Sequence, residues 1–361
     1  MTQAIAMREM LERRGHQIVA VVAGTNQTRS LPTFFEQAFP VPVRPITSPG
    51  FALKGHRGIS LAGTFASLIK NLPAYKKSLA TIRGAIREAQ PDLIINFLEP
   101  LMGVYNLLHA HKIPVLVVGH QYMLEHPDFI SEKKFRMQQW GMKFYIGVTG
   151  ARSSRMALSF YQAADLPERK FFVSPPILRR QLFELHPDFS GGHLLIYLLN
   201  HGYAEEIIKW HKQNPTVPIH CFYDKPGAPE ENKYDVNLTF HRIHGEKFLQ
   251  MMATARGVAC TAGFESVSEG AYLGKPLLLN PVENHLEQYL NACDAEHTGL
   301  GLRDSGFHLS RLLEKPKGET TATFRAWVNQ AEAIAMRVVE STAGTQAVPS
   351  PAATAALRPA Q

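Results

Sequence analysis

The chain has 361 residues, 45% of them hydrophobic and 19% charged, with a formal net charge of +7. It is too apolar for a disordered protein and too long for one ordinary domain. The basic excess suits an anionic ligand or an anionic membrane surface, while the lack of any run of like charge speaks against a nucleic-acid-binding arm. Cys221, Cys260 and Cys293 are scattered and lack metal-ligand spacing, so buried free thiols are expected rather than disulfides or a zinc site. No stretch reaches about 18 consecutive apolar residues. Charges at Arg8, Glu9, Glu12, Arg13 and Arg14 interrupt the first residues. Neither a membrane span nor a signal peptide is expected, and the expected compartment is the cytoplasm.

Residues 2–14 place Ile5, Met7, Met10 and Leu11 at helical spacing, and Gly15 closes that helix. Residues 18–23 read as a buried strand, with Gly24 turning out of it. An α/β domain normally has a strand and a loop before its first helix. Here Met1 already stands at the helix start, so that strand and loop are expected to be missing; either the true start lies upstream or the protein lacks them. Residues 31–60 are rich in Pro and Gly, with a short extended segment around Val41, Val43 and Ile46. Helices are expected over 59–69 and 70–89, a strand over 92–97, a helix over 104–111 and a strand over 113–118. Glu99-Pro100 and Gly119-His120-Gln121 lie just past those two strands. Residues 131–165 read as helical around the apolar run 144–148, and 171–173 as a last short strand.

The stretch 174–192 runs from a Pro-Pro pair to Gly191-Gly192, as an interdomain linker would. A second alternation follows. Strands are expected at 194–199, 219–223, 238–241, 258–260 and 277–279. Helices are expected at 204–213, 246–255, 264–273, around Glu287 and over 321–339. Residues 341–361, rich in Ala, Pro, Thr and Ser, are expected to be disordered. Two βα series about a linker predict an α/β protein of two doubly wound, Rossmann-like domains, 1–173 and 193–340, facing a cleft.

Ligands of such sheets bind beyond the C-terminal ends of the strands. The richest of those loops lies between 258 and 291. A turn, Thr261-Ala262-Gly263, leads into a helix, where free backbone N–H groups favour a phosphate and Ser266 adds a hydroxyl. The same residues would serve an ordinary helix cap. Glu269, on that helix, can accept both hydroxyls of a ribose; it can equally be a solvated helix glutamate. His285, Glu287 and Gln288 form a polar cluster suited either to sugar hydroxyls or to capping.

The segment TAGFESVSEGAYLGKPLLLNPVENHLEQYLNA resembles the donor-binding motif of GT-B glycosyltransferases, above all the MurG-type N-acetylglucosaminyltransferases and the UDP-glycosyltransferases. Gly263, Ser266, Glu269, Gly274, Pro276 and Gln288 match the pattern of a Gly turn, a Ser or Thr, a Glu, a Gly-x-Pro and a closing Gln. The likeness is specific within the second half and topological in the first. It implies a GT-B fold, with the acceptor on 1–173 and the nucleotide sugar on 193–340. Glu269 then holds the ribose. Gly263, Phe264, Glu265 and Ser266, with Ala262 beside them, hold the diphosphate. Glu287 and Gln288, with His285 in the same cluster, face the sugar. Arg242 and Ile243 meet the base through their backbone, and the turn with Asn200 and Gly202 lies near the phosphates.

The resemblance implies an inverting glycosyltransferase of the hexosyl or N-acetylhexosaminyl type. It would move a sugar from a UDP-linked donor to an acceptor hydroxyl, with no metal and no cofactor beyond the nucleotide sugar. Inversion needs a base, for which a near-neutral histidine suits. In the family that base often lies in the loop missing here, so His120 is the first candidate and Glu99 the second. The acceptor is unread. The basic balance and the loops around 50–75 and 126–140 fit a lipid-linked acceptor and peripheral membrane contact. Two alternatives are kept: a non-hydrolysing UDP-sugar epimerase, which usually carries Ser-Gly-Gly where Thr261-Ala262-Gly263 stands, and an inactive nucleotide-sugar-binding protein.

Overall fold

A computed structural model of the chain describes residues 1–25, 31–50, 52–54, 58–109, 112–198, 201–314 and 321–344. In the first half, β1 (Val21–Thr25) and β2 (Val43–Thr47) form a parallel pair. A hairpin, β3 (Ala52–Lys54) and β4 (Gly58–Ser60), follows. A four-stranded parallel sheet then runs in sequence order through β5 (Ile94–Asn96), β6 (Val115–Gly119), β7 (Ser154–Leu158) and β8 (Phe171–Ser174).

The second half is one seven-stranded sheet. Its strands are β9 (Leu194–Leu198), β10 (Ile219–Tyr223), β11 (Glu231–Lys233), β12 (Leu238–Arg242), β13 (Gly257–Cys260), β14 (Leu277–Leu279) and β15 (Leu302–Arg303). They lie in the order β11-β12-β10-β9-β13-β14-β15, and all pairings are parallel except β11 with β12. The chain winds outward from β9 to β12, then returns to the other side of β9 with β13. The strand order therefore reverses between β9 and β13, where doubly wound sheets open a ligand crevice.

The central strands are unbroken apolar runs because both of their faces are covered. In β6, Leu116 and Val118 join one core, while Val115 and Val117 join another. In β14, Leu277 and Leu279 face one core and Leu278 the other. The first of these cores crosses the molecule. It contains Met7 and Met10 of the helix Thr2–Arg13, Met156 of β7, Val258 of β13 and Met336 of the last helix.

Several expectations change. The first strand begins at Val21, not at 18, and Ser154–Leu158 is a strand inside a segment read as helical. The helix after β5 begins at Pro100, ahead of the expected 104, because Glu99 caps it. The presumed linker is packed rather than solvated: Ile177, Leu178 and Leu182 are buried in the shared core. The long final helix is two, Thr321–Val328 and Ala331–Ala343. These return to the first half: the Trp327 indole donates to Ser159 O at 3.0 Å, and Arg337 pairs with Asp165 at 3.0 Å. Residues 341–343 of the expected disordered tail are the end of that last helix, and residues 345–361 lie outside the described residues.

The sheet of the first half is interrupted. Among the described residues no strand pairs with the second edge of β1 or of β5. Polar contact joins the two pieces: the Ser48 hydroxyl donates to the Glu99 carboxylate at 2.6 Å, and a Cβ on Gly24 would collide with that carboxylate.

Candidate functional site

The turn after β13 sits at the reversal point, and its geometry is specific. The left-handed backbone falls on Ala262 (φ 56°), not on Gly263, whose φ of −68° any residue adopts. Nor does packing demand a glycine at 263, since a Cβ there would meet nothing. Gly263 thus leaves open space directly before the helix Phe264–Tyr272. Among the described residues no side chain caps that helix, so its first N–H groups face the space uncapped. Ser266, half-buried, lies in the first turn. Glu265 reaches the other half of the molecule, where it accepts a hydrogen bond from the Thr2 hydroxyl at the start of the first helix.

Glu269 is 4% exposed, and Arg179 holds it in bidentate fashion, Nε to Oε1 at 2.6 Å and Nη2 to Oε2 at 2.9 Å. Arg179 also donates to Gly245 O at 3.1 Å. Burial raises the Glu269 carboxyl from its ordinary pKa, and the guanidinium opposes that shift. The solvated-glutamate reading is therefore excluded. A buried carboxylate at the reversal point presents both oxygens to a single forked partner.

Residues 285–288 open the helix Leu286–His297. His285 is its N-cap, accepting from Gln288 N at 3.4 Å. Gln288 is buried and turned inward, its side-chain oxygen accepting from Val282 N at 2.8 Å. Here the capping reading is realised, while Glu287 stays at the cleft. With Leu290 and Asn291 it faces His120, Gln121 and Met142 of the first half across a crevice of about 10 Å³. That is room for about one water. Gly202 lies in the turn His201–Tyr203 after β9, while Arg242 ends β12 and Ile243 follows it, both exposed at the same edge of the sheet. Asn200 lies outside the described residues.

His120, directly after β6, is 5% exposed and stacks on Phe264, with centroids 4.2 Å apart. Its Nδ1–H donates to Leu158 O at 2.7 Å, and the buried Nε2 lone pair has no partner among the described residues. Burial depresses its pKa to about 4, so the ring is neutral near pH 7. Glu99 is committed elsewhere. It caps the helix Pro100–Leu108 through Leu101 N at 3.1 Å and accepts from Ser48, and burial raises its pKa.

Three residues with no local sequence signal matter here. Arg179 meets Glu269 only through the tertiary fold. Lys275, inside the Gly-Lys-Pro of the motif, is 3% exposed, and its ammonium donates to Asp188 O, to Ala253 O at 2.6 Å and to Ala255 O at 3.1 Å. It pins the linker to the second half. Asp294, one turn beyond Asn291, is fully buried, and neither carboxylate oxygen has a partner among the described residues. Burial lifts its pKa to about 7.

Two doubly wound halves, with the reversal point of one facing a buried histidine of the other, define a GT-B glycosyltransferase. The chain belongs to glycosyl transferase family 1, whose family model matches residues 1–313. Among curated proteins no relative is found. Solved structures with the same fold include UGT89C1 of Arabidopsis thaliana complexed with UDP, at 11% identity and a TM-score of 0.60 over 94% of this chain and 96% of that one. UGT2 of Phytolacca americana, complexed with UDP-2fluoro-glucose and pterostilbene, is 15% identical with a TM-score of 0.58, over 96% and 94%. CalG4, the calicheamicin glycosyltransferase, is 16% identical with a TM-score of 0.57, over 96% of each chain. The membership makes this protein a sugar-transferring enzyme.

Proposed function

We propose that the protein transfers a sugar from a UDP-linked donor to an acceptor hydroxyl in a single inverting displacement. The observation that carries this reading is Glu269, a buried carboxylate at the reversal point whose two oxygens already engage a two-pronged donor. The 2′- and 3′-hydroxyls of a ribose offer the same pair of hydrogen bonds and would take the place of Arg179. The open space at Gly263 admits a diphosphate to the uncapped N–H groups of the following helix, where the helix dipole favours negative charge. That arrangement answers the charge of the departing diphosphate without a metal. Solved relatives in fold that carry UDP and a UDP-sugar support uridine as the base.

His120 is the base in this reading. Its hydrogen bond to Leu158 O sets the tautomer with Nε2 unprotonated, and the crevice lies against it. As the acceptor oxygen attacks the anomeric carbon and UDP leaves, the acceptor proton passes to Nε2. The acceptor is read as an amphiphile or lipid-linked hydroxyl met at a membrane surface. The three buried free thiols fit a reducing compartment such as the cytoplasm. Titration of UDP into wild type and Glu269→Gln by calorimetry tests the donor assignment. Equal affinities in the two proteins would sink it.

A further inference from the structure

The helix Arg136–Thr149 faces two ways. Ile146 and Thr149 are buried, and Met142 lines the crevice opposite Glu287. On the opposite stripe, at helical spacing, stand Met137 (82% exposed), Trp140 (74%) and Phe144 (67%). A solvated helix would place polar groups there. Among the described residues no element covers these three side chains.

The flank of that stripe is basic. Arg136 and Lys143 lie on one side of Trp140, about 40° and 60° round the helix. Lys143 also forms one wall of an open basin of about 370 Å³ whose other walls are Leu124, Glu125, Arg155 and Arg169. Glu125 pairs with Arg155 at 3.1 Å, and Arg169 donates to Glu125 O at 3.5 Å. One carboxylate against three cations leaves the basin with a net positive charge. An aromatic stripe next to a cationic basin matches the two layers of an anionic bilayer, acyl chains below and phosphate head groups above. Among the described residues no helix is long and apolar enough to cross a membrane, so the contact would be made at the surface.

We propose that the helix Arg136–Thr149 docks the enzyme on an anionic phospholipid surface, with Met137, Trp140 and Phe144 in the interface and a lipid phosphate in the Lys143–Arg155–Arg169 basin. This deepens the reading of the acceptor as a membrane-borne molecule. The far side of the same helix borders the crevice, so an amphiphile at the interface lies about one helix diameter, roughly 10 Å, from His120.

Flotation of the full chain with vesicles tests this, using phosphatidylcholine alone and phosphatidylcholine mixed with phosphatidylglycerol. The wild type is expected to float only with the mixed vesicles, and less as salt rises. Trp140→Gln with Phe144→Gln should lower partitioning by at least about 10-fold. Lys143→Glu with Arg169→Glu should lower it similarly and abolish the preference for phosphatidylglycerol. Both variants change exposed side chains and should keep the wild-type melting temperature and UDP affinity. Loss of UDP binding would count against the donor site, and vesicle binding is scored separately. Binding to mixed vesicles that both double variants retain would overturn the proposal. So would an absence of vesicle binding in a wild type that binds inorganic phosphate, which marks a free-anion site. The proposal likewise fails if vesicles are ignored and the wild type self-associates until Trp140→Gln and Phe144→Gln disperse it, because a second copy then covers the stripe.

Discussion

The two sheets treat the same topological position differently. In the second half the reversal between β9 and β13 is closed by continuous pairing, Gly257 opposite Leu194 through Cys260 opposite Tyr197, and the loops beyond it converge on Glu269. In the first half no strand pairs at the corresponding position, between β1 and β5, among the described residues, and Ser48 and Glu99 stitch the two pieces together. Where pairing is intact, a buried carboxylate is held by the forked Arg179 guanidinium. Where it is interrupted, the carboxylate is absorbed into the stitching. Among the described residues of the first half, a buried unpartnered nitrogen lies instead on His120, one strand further along.

The strongest way to break this comparison is the Arg179–Glu269 pair. Arg179→Ala strands a buried carboxylate and should cost about 3–5 kcal/mol in urea unfolding. Arg179→Met with Glu269→Met should cost much less than the sum of the single changes, since neither charge is left alone. Saturating UDP should restore part of the lost stability to Arg179→Ala, because a ribose can take the vacated carboxylate, and none to Glu269→Ala. Equal rescue of both variants would place the nucleotide elsewhere.

On the first half, His120→Gln should lower kcat by about 100-fold or more while UDP affinity stays as in wild type. Glu99→Gln should mainly weaken a helix cap, by about 1 kcal/mol, with a small effect on rate. The opposite ranking would move the base to Glu99. Because His120 titrates near 4, its protonation should produce no limb in the kcat/KM profile between about pH 6 and 8.

Asp294 sharpens the contrast from the donor side. Its pKa is raised from 3.8 to about 7 in the folded state, so folding binds a proton that the unfolded chain releases. The associated stability is fully present below about pH 4 and is lost as pH rises through 7. Asp294→Asn should therefore be the more stable protein at pH 8, by about 1–3 kcal/mol, with a flatter dependence from pH 4 to 8. Urea unfolding at the two ends of that range reads it. A wild type that is no less stable at pH 8 than the variant would show that the carboxylate is solvated or paired.

What was legible in the sequence follows from where the information sits. Strands covered on both faces, such as Val115–Gly119 and Leu277–Leu279, announce themselves as apolar runs. Ser154–Leu158 opens with Ser and Arg, and its strand character comes from pairing between β6 and β8. Glu231–Lys233 is an exposed edge of three polar residues and carries no pattern at all. The turn at Gly263 and the position of Glu269 were readable because the motif is local. Arg179 was not, since its partner lies 90 positions away. Likewise, only the fold separates the capping work of His285 and Gln288 from the cleft position of Glu287.

The smallest expected effect concerns how the halves are held together. Ion pairs cross from the final helices to the first half, among them Arg13 with Glu332 at 2.6 Å and Arg337 with Asp165 at 3.0 Å, and their partners remain partly exposed. Water and salt screen such pairs, so Glu332→Ala should shift stability by no more than about 1 kcal/mol. The buried contacts on the same helices are of another kind. Ala335, Met336 and Val339 are at most 3% exposed and share a core with Met7 and Met10 of the first helix. Met336→Ala should therefore cost about 2–5 kcal/mol in the same urea series, several times the loss from the surface pair. If Glu332→Ala proved the costlier change, the final helix would be clamped by charge, and the apolar core that joins the halves would carry less of the contact than its burial indicates.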